Sequence, residues 1–351
     1  MSAKKLSAVG NLERLMEKYN QLGIGQQIDY SKFYLYSIIT HSTAIEGSTV
    51  TEVENQLLFD EGITAKGRSL VEQTMNLDLK EAYEWGMKNF DRNTEVTVDF
   101  LKHLSARVMA HTGSKYSVMA GSFNAAEGDL RLVNVSAGYG GRSYMSYLKV
   151  PERLEQFCKE LNRRRTTMNP NDLRGIYELS FGAHWVLVSI HPWVDGNGRA
   201  SRLLMNLIQF EFGVLPMKVR KEEKAEYIQS LSDARENENE SIFIQTMMNL
   251  HEKHLSDEIQ SYEASVEEAA VCFFNKEVAD KVADKVADKM TETELMVLAS
   301  LRRNPYSTSE SLATELHRSE SGVRKVIKHL RDKGLLQRVG SRKSGYWKVS
   351  D

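Results

Sequence analysis

The chain has 351 residues, of which 41% are hydrophobic and 27% charged, so it is long enough for two or three domains with buried cores. The net charge is −2, and the only cysteines, Cys158 and Cys272, argue against a disulfide framework and fit a reducing compartment. The sequence contains no apolar run of about 18 residues that would span a membrane, and its start lacks the apolar core of a signal peptide. We therefore predict a cytoplasmic protein with no membrane partner.

Scarce proline and recurrent Leu, Glu, Lys and Met favour a mainly α-helical fold.

A short polar motif lies near the N-terminus, in the segment HSTAIEGSTVT at residues 41–51. Ser42 and Glu46 are four residues apart, so they share one face of a helix, which we predict over about residues 36–47. Gly47 can end that helix with a positive φ angle. Taken alone, the motif is also consistent with an ordinary helix C-terminus that carries a surface glutamate.

A hairpin is predicted in GDLRLVNVSAGYGGRSYMSYL, residues 128–148. Apolar and polar residues alternate on both sides of a glycine-rich centre, which is typical of two short strands joined by a turn. We assign the hairpin to residues 133–145, with a strand that begins near residue 130 and a return that includes Tyr144 and Tyr147. A surface hairpin without any binding role is the alternative.

The most informative segment is HPWVDGNGRASR, at residues 191–202. Apolar stretches precede and follow it, so we predict a tight polar loop between two buried helices. A loop that leads into a helix N-terminus is suited to hold phosphate groups. Gly196 and Gly198 lack Cβ atoms, so their backbone can take positive φ angles and approach a ligand closely. The N–H groups of the Gly-Asn-Gly-Arg run would then point at an anion, helped by the partial charge of the helix end.

The side chains of this loop suit phosphoryl chemistry. Arg199 and Arg202 are three residues apart, so on a helix they share a face, and two guanidinium groups there suit the terminal phosphates of a nucleotide. Asp195 is a hard oxygen ligand for Mg²⁺, Asn197 adds an amide donor, and His191 can accept a proton near neutral pH. Each residue alone has an ordinary structural interpretation, but the combination at this spacing favours a site. The loop does not match the Walker or dinucleotide glycine patterns.

The twelve-residue segment resembles the signature of the Fic (Fido) family, His-Pro-Phe-x-Asp/Glu-Gly-Asn-Gly-Arg-x-x-Arg, with Trp193 where phenylalanine is usual. The resemblance extends over residues 40–250 and implies a helical core with a β-hairpin flap. It also implies an enzyme that transfers AMP from ATP to a Ser, Thr or Tyr hydroxyl of a target protein, the chain itself among the candidates. Trp193 is expected to be a buried aromatic residue.

The resemblance implies a role for each residue of the site. His191 would deprotonate the target hydroxyl, and Asp195 would hold Mg²⁺ on the α- and β-phosphates. Tyr227 resembles a family tyrosine near the nucleotide base, although a buried helix tyrosine fits it equally well. The triphosphate would be bound by Gly196, Asn197, Gly198, Arg199 and Arg202. The flap would align a target segment by strand addition, with Val133, Asn134, Val135, Tyr144 and Met145 as docking residues.

The upstream motif is similar to the family's inhibitory motif, [Ser/Thr]-x-x-x-Glu-[Gly/Asn], which here reads Ser42 to Gly47. The resemblance implies that Glu46 pairs with Arg202. A carboxylate there would occupy the place of a γ-phosphate and repel it, so ATP would bind with a misaligned α-phosphate. Alternatively, Glu46 would orient a water for removal of AMP, as in bifunctional members. Related proteins often dimerise, so a homodimer is expected.

The rest of the chain predicts a spacer and a separate basic module. Residues 275–290 repeat Val-Ala-Asp-Lys three times, which favours a helical spacer. From Thr291 onward, twelve Lys and Arg stand against seven Asp and Glu, a net charge of +5, so the preceding residues carry −7. Three capped helices and a hairpin are predicted there; the caps are Thr291, Ser307 and Ser319, Gly334 ends the third helix, and the strands are residues 335–339 and 346–349.

Three helices and a hairpin resemble a winged helix, which would bind DNA through its third helix and its wing. The candidate DNA contacts are Ser321, Arg324, Lys325, Lys328, Arg342 and Lys343. Many winged helices contact proteins instead, and a module with a net charge of +5 can simply be well solvated.

We therefore expect an N-terminal helical region to residue 110, a core at 111–265, a linker at 266–290 and a winged helix at 291–351. Two function classes remain: an ATP- and Mg²⁺-dependent protein adenylyltransferase, or a DNA-binding regulator that uses its core to sense a nucleotide. His191 favours the enzyme, because a sensor does not need a base.

Overall fold

The computed structural model describes residues 10–137, 143–287, 290–339 and 345–350, with the backbone alone over residues 269–287. The chain divides into two compact units, Met1–Tyr262 and Glu263–Asp351. It is mainly α-helical, as predicted.

The first unit contains ten α-helices within its described residues: α1 (Asn11–Gln21), α2 (Tyr30–Ile45), α3 (Glu52–Glu61), α4 (Leu70–Asn89), α5 (Val98–Val108), α6 (Val150–Thr167), α7 (Leu173–Ile190), α8 (Asn197–Glu211), α9 (Lys224–Glu236) and α10 (Glu240–Ala287), which continues into the second unit. A two-stranded antiparallel hairpin, β1 (Lys115–Val118) and β2 (Gly121–Asn124), lies between α5 and α6. Short 3-10 helices are at Ile24–Gln26, Ala125–Glu127, Tyr147–Lys149 and Lys221–Glu223. Within the part of the chain described here, no helix is long and apolar enough to cross a membrane.

Side-chain caps set the starts of α3 and α4. Thr51 and Ser69 each accept a hydrogen bond from the backbone N–H three residues on, and their own N–H groups donate to the carboxylates of Glu54 and Glu72. Such capping boxes satisfy N–H groups that a helix leaves without acceptors. Glu72 also accepts the N–H of Thr49 at 2.7 Å, so the start of α4 is tied to the turn that follows α2.

Helix α2 contains the N-terminal polar motif. It begins six residues earlier than predicted and ends at Ile45, with Glu46 as its C-cap. Gly47 has a φ of 105°, so it ends the helix as expected.

Helices α7 and α8 form the centre of the first unit and pack against each other more extensively than any other pair of elements. Leu187, Leu203, Leu204 and Leu207 are fully or almost fully buried between them and their neighbours. Each such leucine contributes about 1.5–3 kcal/mol relative to an exposed one. Residues of α2, α4 and α5 join the same core, so the boundary predicted at residue 110 falls inside this unit.

The hairpin predicted at residues 133–145 is only partly regular. Among its described residues, which exclude 138–142, it has one antiparallel bridge, between Ser136 and Ser143, and the N–H of Tyr144 donates to the Val135 carbonyl at 3.0 Å. The strand expected from residue 130 is not present, and Tyr147 lies in a 3-10 helix. The Arg131 side chain donates hydrogen bonds to the carbonyls of Val133 and Met145, so these two carbonyls do not form hydrogen bonds between strands.

The second unit contains α11 (Glu292–Arg303), α12 (Ser309–Glu315), α13 (Glu320–Asp332) and the antiparallel pair β3 (Leu336–Val339) and β4 (Tyr346–Val349). Its core is formed by apolar residues of all five elements, as in the predicted winged helix. Thr291 and Ser319 cap α11 and α13 as predicted, whereas α12 is capped by Thr308 rather than Ser307. The Thr308 hydroxyl accepts the Ser311 N–H, so the cap lies one residue further along.

Candidate functional site

The polar loop lies between the two central helices. His191 caps α7 with a φ of 52°, in the left-handed region that costs a non-glycine residue about 1–3 kcal/mol. Gly196, with a φ of 79°, caps the start of α8, and a Cβ there would lie 2.7 Å from the Met109 sulfur. Because both ends of the loop continue into packed helices, the position of the His191 side chain is closely set.

The imidazole of His191 is arranged to act as a base. Its Nδ1 lies 3.2 Å from the Val188 carbonyl, so in the tautomer in which Nδ1–H donates, Nε2 keeps its lone pair. Burial, helped by the charges of Arg131 and Arg235 and opposed by the Val188 hydrogen bond and Asp195, lowers the pKa of His191 to about 4. The ring is therefore neutral at physiological pH.

Trp193 and Asn197 hold the loop together. Trp193 is buried, as expected, and its indole N–H donates to the Gly128 carbonyl at 3.1 Å, a bond that phenylalanine could not make. The Asn197 side chain accepts the Trp193 N–H and donates to the Trp193 carbonyl at 2.9 Å. One N–H of the amide thus closes the loop, and the expectation that its other N–H binds an anion stays a prediction.

The two glycines serve different purposes. Only Gly196 uses a positive φ angle; Gly198 lies in the first turn of α8, and the prediction of a positive φ there is wrong. What Gly198 provides is space, since a Cβ would lie 2.5 Å from the Glu46 carboxylate. The first N–H groups of α8 lack acceptors within the helix, so this end remains suited to an anion.

Arg199 is buried but weakly partnered. One Nη atom lies 3.1 Å from the Met109 sulfur, the other 3.4 Å from the Val108 carbonyl, and the Asp195 carboxylate is 3.8 Å away. Its Nε has no hydrogen-bond partner among the described residues. Burial lowers the pKa of Arg199, although Glu46 and Asp195 oppose this. A buried guanidinium with spare donors is suited to receive a phosphate.

Arg202 meets the N-terminal motif. Its Nε donates to the Ser42 hydroxyl at 2.8 Å, and one Nη donates to the Ser42 carbonyl and to Glu46 at 2.6 Å. Burial by itself would raise the pKa of Glu46, but the charge of Arg202, with Arg199 and Lys224, outweighs it and lowers that pKa. The structure thus brings together Ser42, Glu46 and Arg202, which are far apart in the sequence.

Tyr227 lies behind Arg202 and not on an open cleft. It is 1% exposed, accepts a hydrogen bond from Arg202 at 3.3 Å, and its hydroxyl is 2.9 Å from His184 Nε2. Tyr227 is therefore a buried helix tyrosine on which a base could not stack without rearrangement, and the expected place near the nucleotide base stays a prediction.

The flap residues face the loop. The Tyr144 ring stacks on the His191 ring with 3.8 Å between centroids, and the Arg235 guanidinium covers its other face at 4.7 Å. The side chain of Asn134 accepts the Tyr147 N–H, and the remaining predicted docking residues contribute backbone contacts. Next to the stack is a cleft of about 230 Å³, lined by Ala137, Tyr144, Val188, Ser189, Ile228, Leu231, Ser232 and Arg235.

Sequence reasoning missed Arg131 and a buried polar network beneath helix α2, which contains the Ser42–Glu46 motif and is called the motif helix below. In the network, Asn76 accepts hydrogen bonds from Thr43 at 2.7 Å and from Asn55 at 2.8 Å. Arg131 is 1% exposed and donates to the His191 carbonyl at 2.7 Å. The network could have been found from polar residues at core positions of the helical period, whereas Arg131 lies outside the helices and strands and gave no such signal.

Asp195 is the candidate metal ligand of the site. The Asp195 side chain is 62% exposed and accepts the Gly196 N–H at 2.6 Å. The described residues contain no cluster of three or more His, Cys, Asp or Glu that could form a complete metal site. One exposed carboxylate fits Mg²⁺, which proteins usually bind through one or two carboxylates together with phosphates.

In the second unit, one face of α13 is exposed and basic. Ser321, Arg324, Lys325 and Lys328 are all exposed on it, and Arg324 pairs with Glu320 at 2.6 Å. The predicted wing contacts Arg342 and Lys343 lie outside the described residues.

Comparison with known proteins agrees with this geometry. Residues 95–209 match the Fic/DOC family, and residues 290–337 match the family described as winged helix-turn-helix DNA-binding. The chain is 28% identical over 250 residues to the protein adenylyltransferase Fic of Nematostella vectensis, which is 65% of this chain and 54% of that protein. It is 29% identical over 203 residues to protein adenylyltransferase fic-1 of Caenorhabditis elegans, 57% of this chain and 36% of that protein. The chain therefore spans about half or less of these relatives.

A solved structure shares the fold. A Fic domain containing signaling protein from Bacteroides thetaiotaomicron superposes with a TM-score of 0.59 at 19% identity, covering 73% of this chain and 98% of that one. At this identity the likeness concerns the fold alone.

The protonation of His191 can be measured directly. We expect its ring resonances to titrate near pH 4 in NMR spectra of histidine-labelled protein, because burial disfavours the imidazolium. His111 is the matched control: its bond to Asp78 raises its pKa above 6.5. Titration of His191 at or above 6.5 would contradict its assignment as a neutral base.

Proposed function

We propose that this chain, which contains a Fic/DOC family domain followed by a winged helix-turn-helix, is a protein adenylyltransferase held inactive by Glu46. The observation that supports the proposal most strongly is that three features lie together at the polar loop, residues 191–202. A neutral imidazole, a weakly partnered buried arginine and a helix N-terminus lie together, and Glu46 pairs with the second arginine. The names of the similar proteins support the reaction class.

In the proposed reaction, a Ser, Thr or Tyr oxygen of the target attacks the α-phosphorus of ATP. His191 Nε2 accepts the hydroxyl proton as the new P–O bond forms, and the bond to pyrophosphate breaks. The N–H groups at the start of α8 and Arg199 stabilise the negative charge of the phosphates. Asp195 would hold Mg²⁺, which neutralises charge on the leaving pyrophosphate when bound.

The cleft beside His191 is our candidate for the base of the nucleotide. The face of the Arg235 guanidinium that points away from Tyr144 is available for stacking, the edge of Tyr144 borders the cleft, and Ile228 and Leu231 add apolar walls. Aromatic rings and guanidinium planes both stack on bases. The cleft is an alternative to Tyr227 as the base contact.

Inhibition follows from competition for Arg202. The Glu46 carboxylate lies against both Gly198 and Arg202, at the mouth of the phosphate site. A γ-phosphate there would meet a negative charge in a partly buried environment, where repulsion is weakly screened. ATP would then bind with its α-phosphate out of line for attack.

We expect Glu46→Gly to raise transfer of AMP from labelled ATP by more than about tenfold, equivalent to ~1.4 kcal/mol in activation free energy. Glu46→Gln is the matched control, because it keeps the shape and removes the charge; it should raise the rate less. His191→Ala in the Glu46→Gly background should abolish transfer. An unchanged rate for Glu46→Gly in purified protein would remove the inhibitory role.

A second activity, removal of AMP, is favoured by one observation. Only Oε1 of Glu46 contacts Arg202 among the described residues, and the side chain is 31% exposed. The other oxygen could accept a hydrogen bond from an attacking water.

We also propose a homodimer. Val53, Leu70 and Val71 are 61–76% exposed and lie at the starts of α3 and α4, which follow the motif helix. Exposed apolar residues that recur in neighbouring segments are typical of interaction surfaces.

If this surface mediates dimerisation, Leu70→Asp should give monomers in sedimentation experiments, because it places a charge in an apolar contact. Met119→Asp is the matched control, since Met119 is fully exposed at the turn of the β1–β2 hairpin. A parent chain that is already monomeric, or a Leu70→Asp variant that remains dimeric, would contradict this assignment.

For the second unit we propose DNA binding. The support is the basic exposed face of α13 and the match to the winged helix-turn-helix family. Lysines on such a face contact phosphates, which makes affinity depend on salt.

We expect Lys325→Ala with Lys328→Ala to weaken DNA binding by the full chain and to reduce its salt slope by about one for each lost contact. Lys66→Ala, an exposed lysine of the first unit, is the control. Binding curves that coincide for the parent and the double variant at every salt concentration would refute this interface.

A further inference from the structure

Arg131 is a buried cation with no carboxylate partner among the described residues. Its Nε donates to the His191 carbonyl at 2.7 Å, one Nη to Val133 at 2.8 Å, and the other to Met145 at 2.7 Å. The backbone N–H of Arg131 also donates to the Pro192 carbonyl at 3.0 Å. Each of the three guanidinium nitrogens therefore donates to a carbonyl group.

These carbonyls belong to two functional parts of the site. Val133 and Met145 lie on the two arms of the flap, and His191 and Pro192 begin the polar loop. A planar guanidinium has a fixed spacing between its N–H groups, so a shift of either flap arm is passed on to the His191 carbonyl. His191 is itself in a strained left-handed conformation, which persists only where the surroundings hold it.

We infer that Arg131 is a positioning residue that couples the seating of a target segment on the flap to the placement of the His191 base. This inference rests on the proposed function. A target strand that pairs with the flap would hold its two arms apart at a set distance, and Arg131 would transmit that distance to the loop.

Charge provides a second link between Arg131 and His191. The guanidinium lies next to a partly buried imidazole, so it disfavours the imidazolium form and contributes to the low pKa of His191. Lysine at position 131 would keep the charge but lose the fork, whereas glutamine would lose both. The two substitutions therefore separate geometry from electrostatics.

The test uses the full chain in the Glu46→Gly background, with Arg131→Lys and Arg131→Gln. The matched control is Arg165→Lys. Arg165 is 3% exposed and likewise donates to backbone carbonyls, those of Thr94 and Asp91, but none of its hydrogen bonds reaches the flap or His191. Self-modification with α-labelled ATP gives kcat and the KM for ATP, and NMR of histidine-labelled protein gives the pKa of His191.

We expect Arg131→Lys to lower kcat by about a hundredfold, the cost of misplacing a reacting group by about 1 Å, with little change in KM. Arg131→Gln should also raise the pKa of His191 above about 4, while burial, the larger cause, keeps it below 6.5. Arg165→Lys should leave the pKa of His191 and kcat of the folded fraction unchanged.

The inference is overturned if the Arg131 variants, like Arg165→Lys, lose only thermal stability while kcat and the His191 pKa stay those of the parent. If the Glu46→Gly parent transfers no AMP to itself or to the proteins of a lysate, the proposed function fails, but the NMR titration still decides whether Arg131 acts on His191. If both variants fail to fold, the test is made on the Glu46→Gly parent. Its Arg131 Nε–H resonance must shift as His191 titrates. A resonance that does not shift contradicts the coupling.

Discussion

The site depends on one buried cation, Arg202. A guanidinium removed from water must have its donors satisfied, because an unpaired buried charge costs several kcal/mol. Here Ser42, Glu46 and Tyr227 satisfy them, and all three come from elements other than α8. A phosphate could satisfy the same donors. Two anions, one supplied by the chain and one by a nucleotide, thus compete for a single cation, and this competition is the physical basis of the proposed inhibition.

The polar loop and the motif helix hold the Glu46 carboxylate close to Arg202. Gly198 leaves room for the Glu46 carboxylate directly above α8, and a side chain there would exclude it. The motif helix is held from below by Thr43 and Asn76, which share a buried hydrogen bond of 2.7 Å. Glu46 can therefore leave Arg202 either by rotation of its side chain or by movement of helix α2. Movement of the helix is more costly, because it breaks a satisfied buried hydrogen-bond network.

Much of the site could be predicted from the sequence because its information is local. His191, Asp195 and the two arginines lie within twelve residues, and the spacing of Ser42 and Glu46 defines one helix face. The errors concern partners that are distant or unexpected. Arg131 reaches across 60 residues to His191, and the side chain of Asn197 binds the backbone of Trp193, a contact that the sequence did not predict. Periodicity cannot reveal such contacts, because they depend on how helices and loops meet.

In the proposed inhibition, Glu46 and a γ-phosphate occupy the same position on Arg202. The most direct measurement is a crystal structure of the Glu46→Gly chain with a non-hydrolysable ATP analogue and Mg²⁺. The account requires the γ-phosphate to lie within hydrogen-bonding distance of Arg202, in the space that the carboxylate leaves, with the α-phosphate facing His191. A triphosphate bound elsewhere, with Arg202 still held only by Ser42 and Tyr227, would contradict it.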